Sequence, residues 1–148
     1  MSKRLQKEFK KIAKEGSKED AYFDVALEGD EIHMWNLMLE GPAGTPYEGG
    51  IFNVKLKFPA EYPFKAPEVK FVTKTYSPHL SDEGEICADL LKDWSPTMNA
   101  KKVIEIARSL LLDPSSDTPV NAKVGREYAE DRAQFEKTCK QWVEKYAS

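Results

Sequence analysis

The chain has 148 residues, 41% of them hydrophobic and 32% charged, with a net charge of −3. That length fits one domain spanning residues 1–148 with a core of its own, and the mild negative charge argues against a general nucleic-acid binder. No apolar run approaches the roughly 20 residues that span a bilayer, and the first residues carry no apolar leader stretch, so no membrane partner is expected. Two cysteines cannot build a disulfide framework, which points to a reducing compartment: the cytoplasm, and the nucleus with it. His33, His79, Cys87 and Cys139 do not follow a zinc-binding spacing, and neither a metal nor a cofactor is expected.

Leu5, Phe9, Ile12 and Ala13 fall on one face at helical spacing, which predicts an amphipathic helix over residues 3 to 15, stopped by Gly16-Ser17. Its other face is basic: Lys3, Arg4, Lys7, Lys10, Lys11 and Lys14, with only Glu8 among them. On composition alone that is a solvated helix face. The period then changes to two. Phe23, Val25 and Leu27 alternate with polar residues, as do Trp35, Leu37 and Leu39, then Phe52, Val54, Leu56 and Phe58. Val69 and Phe71 suggest a fourth, shorter strand. Short connections between sequential strands predict an antiparallel meander.

From Tyr62 to Pro96 the pattern is irregular and proline-rich, and a loop of that length inside a compact domain is usually functional. After it, Val103, Ile106, Ala107, Leu110 and Leu111 mark a helix that ends near Asp113-Pro114. Pro119 to Tyr128 suggests a short helix, and Phe135, Cys139, Trp142, Val143 and Tyr146 mark the last. The order is helix, four strands, long loop and C-terminal helices, an α+β domain. Trp35, Phe58, Trp94 and Trp142 are read as packing residues, and Cys139, on an apolar helix face, as a buried structural thiol. Tyr62-Pro63 is the kind of aromatic-proline step that adopts a cis bond in a tight turn.

Within this frame come Gly41-Pro42, Pro46-Tyr47-Glu48-Gly49-Gly50, Phe58-Pro59, Tyr62-Pro63-Phe64, Pro67, Gly84, Ile86-Cys87, Trp94-Ser95-Pro96 and Asp113-Pro114. Their joint occurrence in this order resembles the catalytic core of the ubiquitin-conjugating enzymes, in a form without long extensions. The resemblance implies that family's fold and a thioester chemistry on Cys87, which would accept ubiquitin from an activating enzyme and pass it to a lysine of a protein substrate with a ligase's help. A thiolate suits that task because it captures an acyl group and leaves it reactive toward an amine.

The resemblance also distributes roles. Asp89 would orient and deprotonate the incoming lysine, and an acidic residue there favours direct transfer with RING-type ligases. Phe64, Ser95 and Pro96 match the loop positions that contact ligases, together with Lys3, Arg4 and Lys7, which also match the surface for the activating enzyme. Glu105 and Ser109 match helix positions that touch the donor tag, and Asp117 and Thr118 the gate beside the cysteine.

Four departures stand out. The family's His-Pro-Asn tripeptide reads Ser77-Pro78-His79 here. Imidazole can replace the asparagine either as a hydrogen-bond donor to the oxyanion or as a brace for the loop, and both readings stay open. The interval from Cys87 to Trp94 is one residue short, Thr118 replaces an acidic or serine residue, and Glu105 replaces an apolar one. Rival readings are a conjugating enzyme for another ubiquitin-like tag, a non-catalytic ubiquitin-binding variant, and a cysteine hydrolase using Cys87 and His79.

Overall fold

The computed structural model describes residues 3–116 and 118–148, and at Ala88 and Asp89 it describes the backbone. Four strands, Phe23–Glu28 (β1), Glu31–Glu40 (β2), Ile51–Lys57 (β3) and Glu68–Phe71 (β4), form one antiparallel sheet in the order β1-β2-β3-β4. The expected meander is therefore present. Alternation along each strand becomes continuous rows across the sheet. Val25 pairs with Leu37, Leu37 with Val54, and Val54 with Phe71, and a second row runs Leu27, Trp35, Leu56, Val69. All but the half-buried Leu27 of these eight are buried. Because a one-residue slip would turn a whole row to solvent, burial itself sets the register.

Helix α1, Lys3–Gly16, lays Leu5 and Ile12 on this face, and its Phe9 ring meets Trp35 edge-on at 5.1 Å. Helix α2, Ala100–Leu112, buries Val103, Ile104, Ala107, Leu110 and Leu111 in the same cluster. Full burial of such side chains contributes about 1.5–3 kcal/mol each. Side chains cap three helices: Asn99 accepts from the Lys102 N–H on α2, Asn121 from Val124 on α3 (Ala122–Glu130), and Asp131 from Gln134 on α4 (Arg132–Tyr146). The Asn121 cap explains why α3 begins three residues after Pro119, the expected start.

The Tyr62-Pro63 bond is cis, as its sequence suggested. Trp35 and Phe58 are core residues, while Trp94 and Trp142 are half-buried against it. The long segment from Tyr62 to Pro96 is more ordered than its sequence implied. It contains β4, a tight hairpin around residues 80–86, and a 3-10 turn at Ala88–Leu91.

Candidate active site

Cys87 is placed by a hairpin rather than by a loop of undefined course. Leu80 bridges Ile86 in antiparallel register, and the Ser81 N–H donates to Glu85 O at 2.9 Å. Extending that register by one position sets His79 opposite Cys87. Leu80 is buried and its bridge partner Ile86 packs against the core, so period-two alternation sends the next residue on each arm, His79 and Cys87, to the other face. The hairpin's second arm also docks on the outer edge of β4, where Lys70 bridges Glu85 and the Phe71 N–H donates to Gly84 O at 2.9 Å. Gly84 has φ +87°, and a Cβ there would lie 2.0 Å from Phe71 O. Only glycine permits this approach.

The Ser77-Pro78-His79 tripeptide is held by one bond of its own and by two to the segment after α2. Ser77 is buried, and its Oγ accepts the His79 N–H at 3.1 Å. Pro78 O accepts from Asn121 N at 3.1 Å. His79 Nε2–H donates to Asp113 O at 2.8 Å. Asp113 and Asn121 bracket the candidate gate, so both ends of that segment are fastened to the tripeptide. Within it Thr118 is exposed, while Asp117 lies outside the described residues, as does the side chain of Asp89.

Just upstream, Tyr76 O accepts from the Tyr47 hydroxyl at 2.6 Å and from Cys139 Sγ at 3.3 Å. Cys139 is 1% exposed, and burial pushes its thiol up to about 12. The two thiols thus differ in kind: Cys139 is a buried brace, whereas Cys87 is half-exposed at the hairpin's end. Among the described residues no cluster of His, Cys, Asp and Glu is arranged to hold a metal.

The candidate ligase-docking residues converge. Phe64 is 77% exposed, which removes it from the core, and Pro96 is exposed while Ser95 is half-exposed. Trp94 joins their loops by donating from Nε1 to Pro63 O at 2.8 Å. Lys3 and Lys7 are exposed on α1. Arg4 is engaged inside the molecule: its guanidinium donates to the Glu8 carboxylate and to the carbonyls of Pro96 and Met98. Burial first, and the Glu8 carboxylate second, push the Tyr62 hydroxyl well above the usual phenol range.

On α2, Glu105 and Ser109 are both exposed, and Leu112, 47% exposed, continues their row at i+7 from Glu105. Sequence reasoning missed Leu112 because helical spacing picks Leu110 and Leu111 for the core and says nothing of the outward leucine beside them. The i, i+4, i+7 spacing from Glu105 was the available signal. The bonds of Glu8 with Tyr62 and Ala100 were also missed, since these partners lie far apart in sequence.

Comparison with known proteins agrees with this architecture. The chain matches the family model described as "Ubiquitin-conjugating enzyme" over residues 4–143. It is 38% identical over 146 residues to "Ubiquitin conjugating enzyme E2 B" of Dictyostelium discoideum, covering 98% of this chain and 97% of that one. Among solved structures it resembles the E2 domain of a Toxoplasma gondii ubiquitin-conjugating enzyme, with TM-score 0.88, 36% identity, and coverage of 98% of this chain and 97% of the other. It also resembles a protein solved as a ubiquitin-conjugating enzyme of Plasmodium yoelii, with TM-score 0.90, 37% identity, and coverage of 98% and 94%. The chain belongs to the ubiquitin-conjugating enzyme family. Its activity is the family's transferase activity in ubiquitin conjugation, and its partners are the family's: ubiquitin, the activating enzyme and a ligase.

Proposed function

We propose that Cys87 is the residue that carries ubiquitin. Its thiolate attacks the carbonyl of the ubiquitin C-terminus held as a thioester on the activating enzyme, and that enzyme's thiolate leaves. A substrate lysine amine then attacks the Cys87 thioester, loses its proton, and the Cys87 thiolate departs. The observation that carries this reading is the contrast between the two thiols: Cys87 half-exposed at the end of a hairpin clamped to β4, Cys139 buried and hydrogen-bonded. Charging with activating enzyme, ATP and ubiquitin, followed on a non-reducing gel, tests it. A reductant-sensitive adduct that is absent in Cys87→Ala and present in Cys139→Ala is the expected result; loss of the adduct in Cys139→Ala alone refutes the assignment.

Asp89, two residues after the thiol on the 3-10 turn, is proposed to orient and deprotonate the lysine, in keeping with direct transfer assisted by a RING-type ligase. His79 is proposed as a brace. Its Nε2–H is already donated to Asp113 O, so the neutral ring offers only an acceptor at Nδ1 and has no second donor for an oxyanion. Phe64, Ser95 and Pro96 form the ligase-docking surface, with Lys3 and Lys7 presenting charge to the activating enzyme and ligase. Glu105, Ser109 and Leu112 form the face of α2 that meets the donor ubiquitin, the apolar contact shifted from position 105 to Leu112. Asp117 and Thr118 complete the gate.

A further inference from the structure

The Glu8 carboxylate is the meeting point of three parts of the chain distant in sequence. It accepts from Arg4 Nε at 2.8 Å within α1, from the Tyr62 hydroxyl at 2.8 and 3.1 Å, and from the Ala100 N–H at 2.7 Å. Three donor hydrogens thus occupy most of the carboxylate's about four acceptor positions, the one Tyr62 O–H lying between both oxygens. The side chain is only 15% exposed. Arg4 extends the same node: Nη1 donates to Pro96 O at 3.0 Å, Nη2 to Met98 O, and the guanidinium carbon lies 5.5 Å from the centre of the Tyr62 ring.

These bonds end on the two loops assigned above to the ligase. Tyr62 is two residues before the exposed Phe64, and Arg4 grips Pro96 and Met98, beside Ser95. The Trp94-to-Pro63 bond closes the circuit between the loops, with the Tyr62 and Trp94 rings 5.8 Å apart. An exposed loop that must be ordered on binding weakens the complex by that cost, and a loop already held in place does not.

We propose that Glu8 and Arg4 are positioning residues for ligase recognition, a carboxylate–guanidinium node that holds the Phe64 loop and the Ser95–Met98 loop as one preformed platform. Arg4 thereby acts through the loops it holds rather than as a surface charge. The proposal rests on the reading that Phe64, Ser95 and Pro96 dock the ligase. It separates from a charge-only role because a guanidinium can donate to three partners in one plane, whereas an ammonium keeps the charge and loses the fork.

The test uses the full chain with its ubiquitin thioester formed beforehand, so that charging does not enter. Discharge to free lysine is measured against increasing concentrations of a RING domain, chosen from a panel as the strongest stimulator of the wild type. Arg4→Lys and Glu8→Gln are expected to raise the half-saturating RING concentration about tenfold, as expected for losing charge-assisted hydrogen bonds that preorganise a surface. The saturating rate should hold, and RING-independent discharge of Glu8→Gln should stay at the wild-type level. The Met98 N–H, which donates to Ser95 O at 2.9 Å, should exchange with solvent faster in both variants without any ligase. Arg4→Lys with wild-type half-saturation would show a docking charge and overturn the proposal, as would slower RING-independent discharge in Glu8→Gln, the mark of a general structural role. Phe64→Ala is the control. If it weakens stimulation while neither node variant does, the docking surface stands and the positioning proposal falls; if it has no effect, both fall.

Discussion

Gly84→Ala changes no group with chemistry, yet it should disable Cys87 from three residues away. The added Cβ would meet Phe71 O at 2.0 Å, well inside contact distance, so the hairpin must lift from β4 by more than an ångström. The lift breaks the 2.9 Å bond from Phe71 N–H to Gly84 O and the adjacent Lys70–Glu85 bridge. At about 1 kcal/mol for each of two lost hydrogen bonds and about 1–2 kcal/mol for an alanine held at positive φ, the variant loses about 3–4 kcal/mol of the free energy that holds the hairpin on β4. Since about 1.4 kcal/mol is a factor of ten, the charging rate should fall by a hundredfold or more. Gly29→Ala is the matched comparison: Gly29 has φ +62° but nothing within 4 Å of the added carbon, so it carries the backbone strain without the collision. Initial charging rates with activating enzyme and ATP, read on non-reducing gels, should be normal for Gly29→Ala and nearly abolished for Gly84→Ala. Equal charging by the two variants would mean that the β4 seat does not place the thiol, and the argument for the hairpin would fail.

Phe64→Ala should shift the melting temperature by no more than a surface substitution does, because its ring is 77% exposed, yet impair ligase-stimulated discharge; a fall of many degrees would return Phe64 to the core. His79 is tested by two amides of different reach. Gln places its nitrogen near the Nε2 position that donates to Asp113 O, so as a brace replacement it should preserve charging and discharge better than Asn or Ala. If instead Asn restores discharge and Gln does not, His79 is the oxyanion donor. Native protein should react with a thiol reagent at pH 8 once per chain, and twice in denaturant. The buried Cys139 thiol, pushed up to about 12, stays protonated far above that pH; rapid labelling of both thiols in native protein would contradict it. Cys139→Ala should charge normally but lose about 1–3 kcal/mol of stability, from a small cavity and the bond to Tyr76 O.

The legible part of the candidate site is the part carried by local pattern. Cys87 announces itself through its neighbours in Gly84-Glu85-Ile86-Cys87, and Phe64 through an aromatic placed on a proline-bounded turn. What escaped was the hairpin over residues 80–86 and the 3-10 turn after it, because elements of so few residues leave no period to detect. Leu112 went unremarked for a different reason: helical spacing picks Leu110 and Leu111 for the core and says nothing of what an outward leucine beside them would meet.

Chain order, strand alternation and the amphipathic helices follow from the sequence by itself. Period-two and helical spacing decide which side chains must be buried together, and four short-linked strands can hardly pair except as a meander. The partners of polar residues were decided only in three dimensions. Arg4 reads as one cation among six on a basic helix until its guanidinium is seen on the carbonyls of Pro96 and Met98, more than ninety residues on. Glu8 reads as the lone acid among those six cations until Tyr62 and Ala100 are found donating to it. His79 shows no partner in the sequence until Asp113 O, thirty-four residues on, is found accepting its Nε2–H. Burial is periodic along a chain and so can be read from it, whereas a hydrogen bond between distant groups depends on where the packed core sets their backbones, and no local pattern records that.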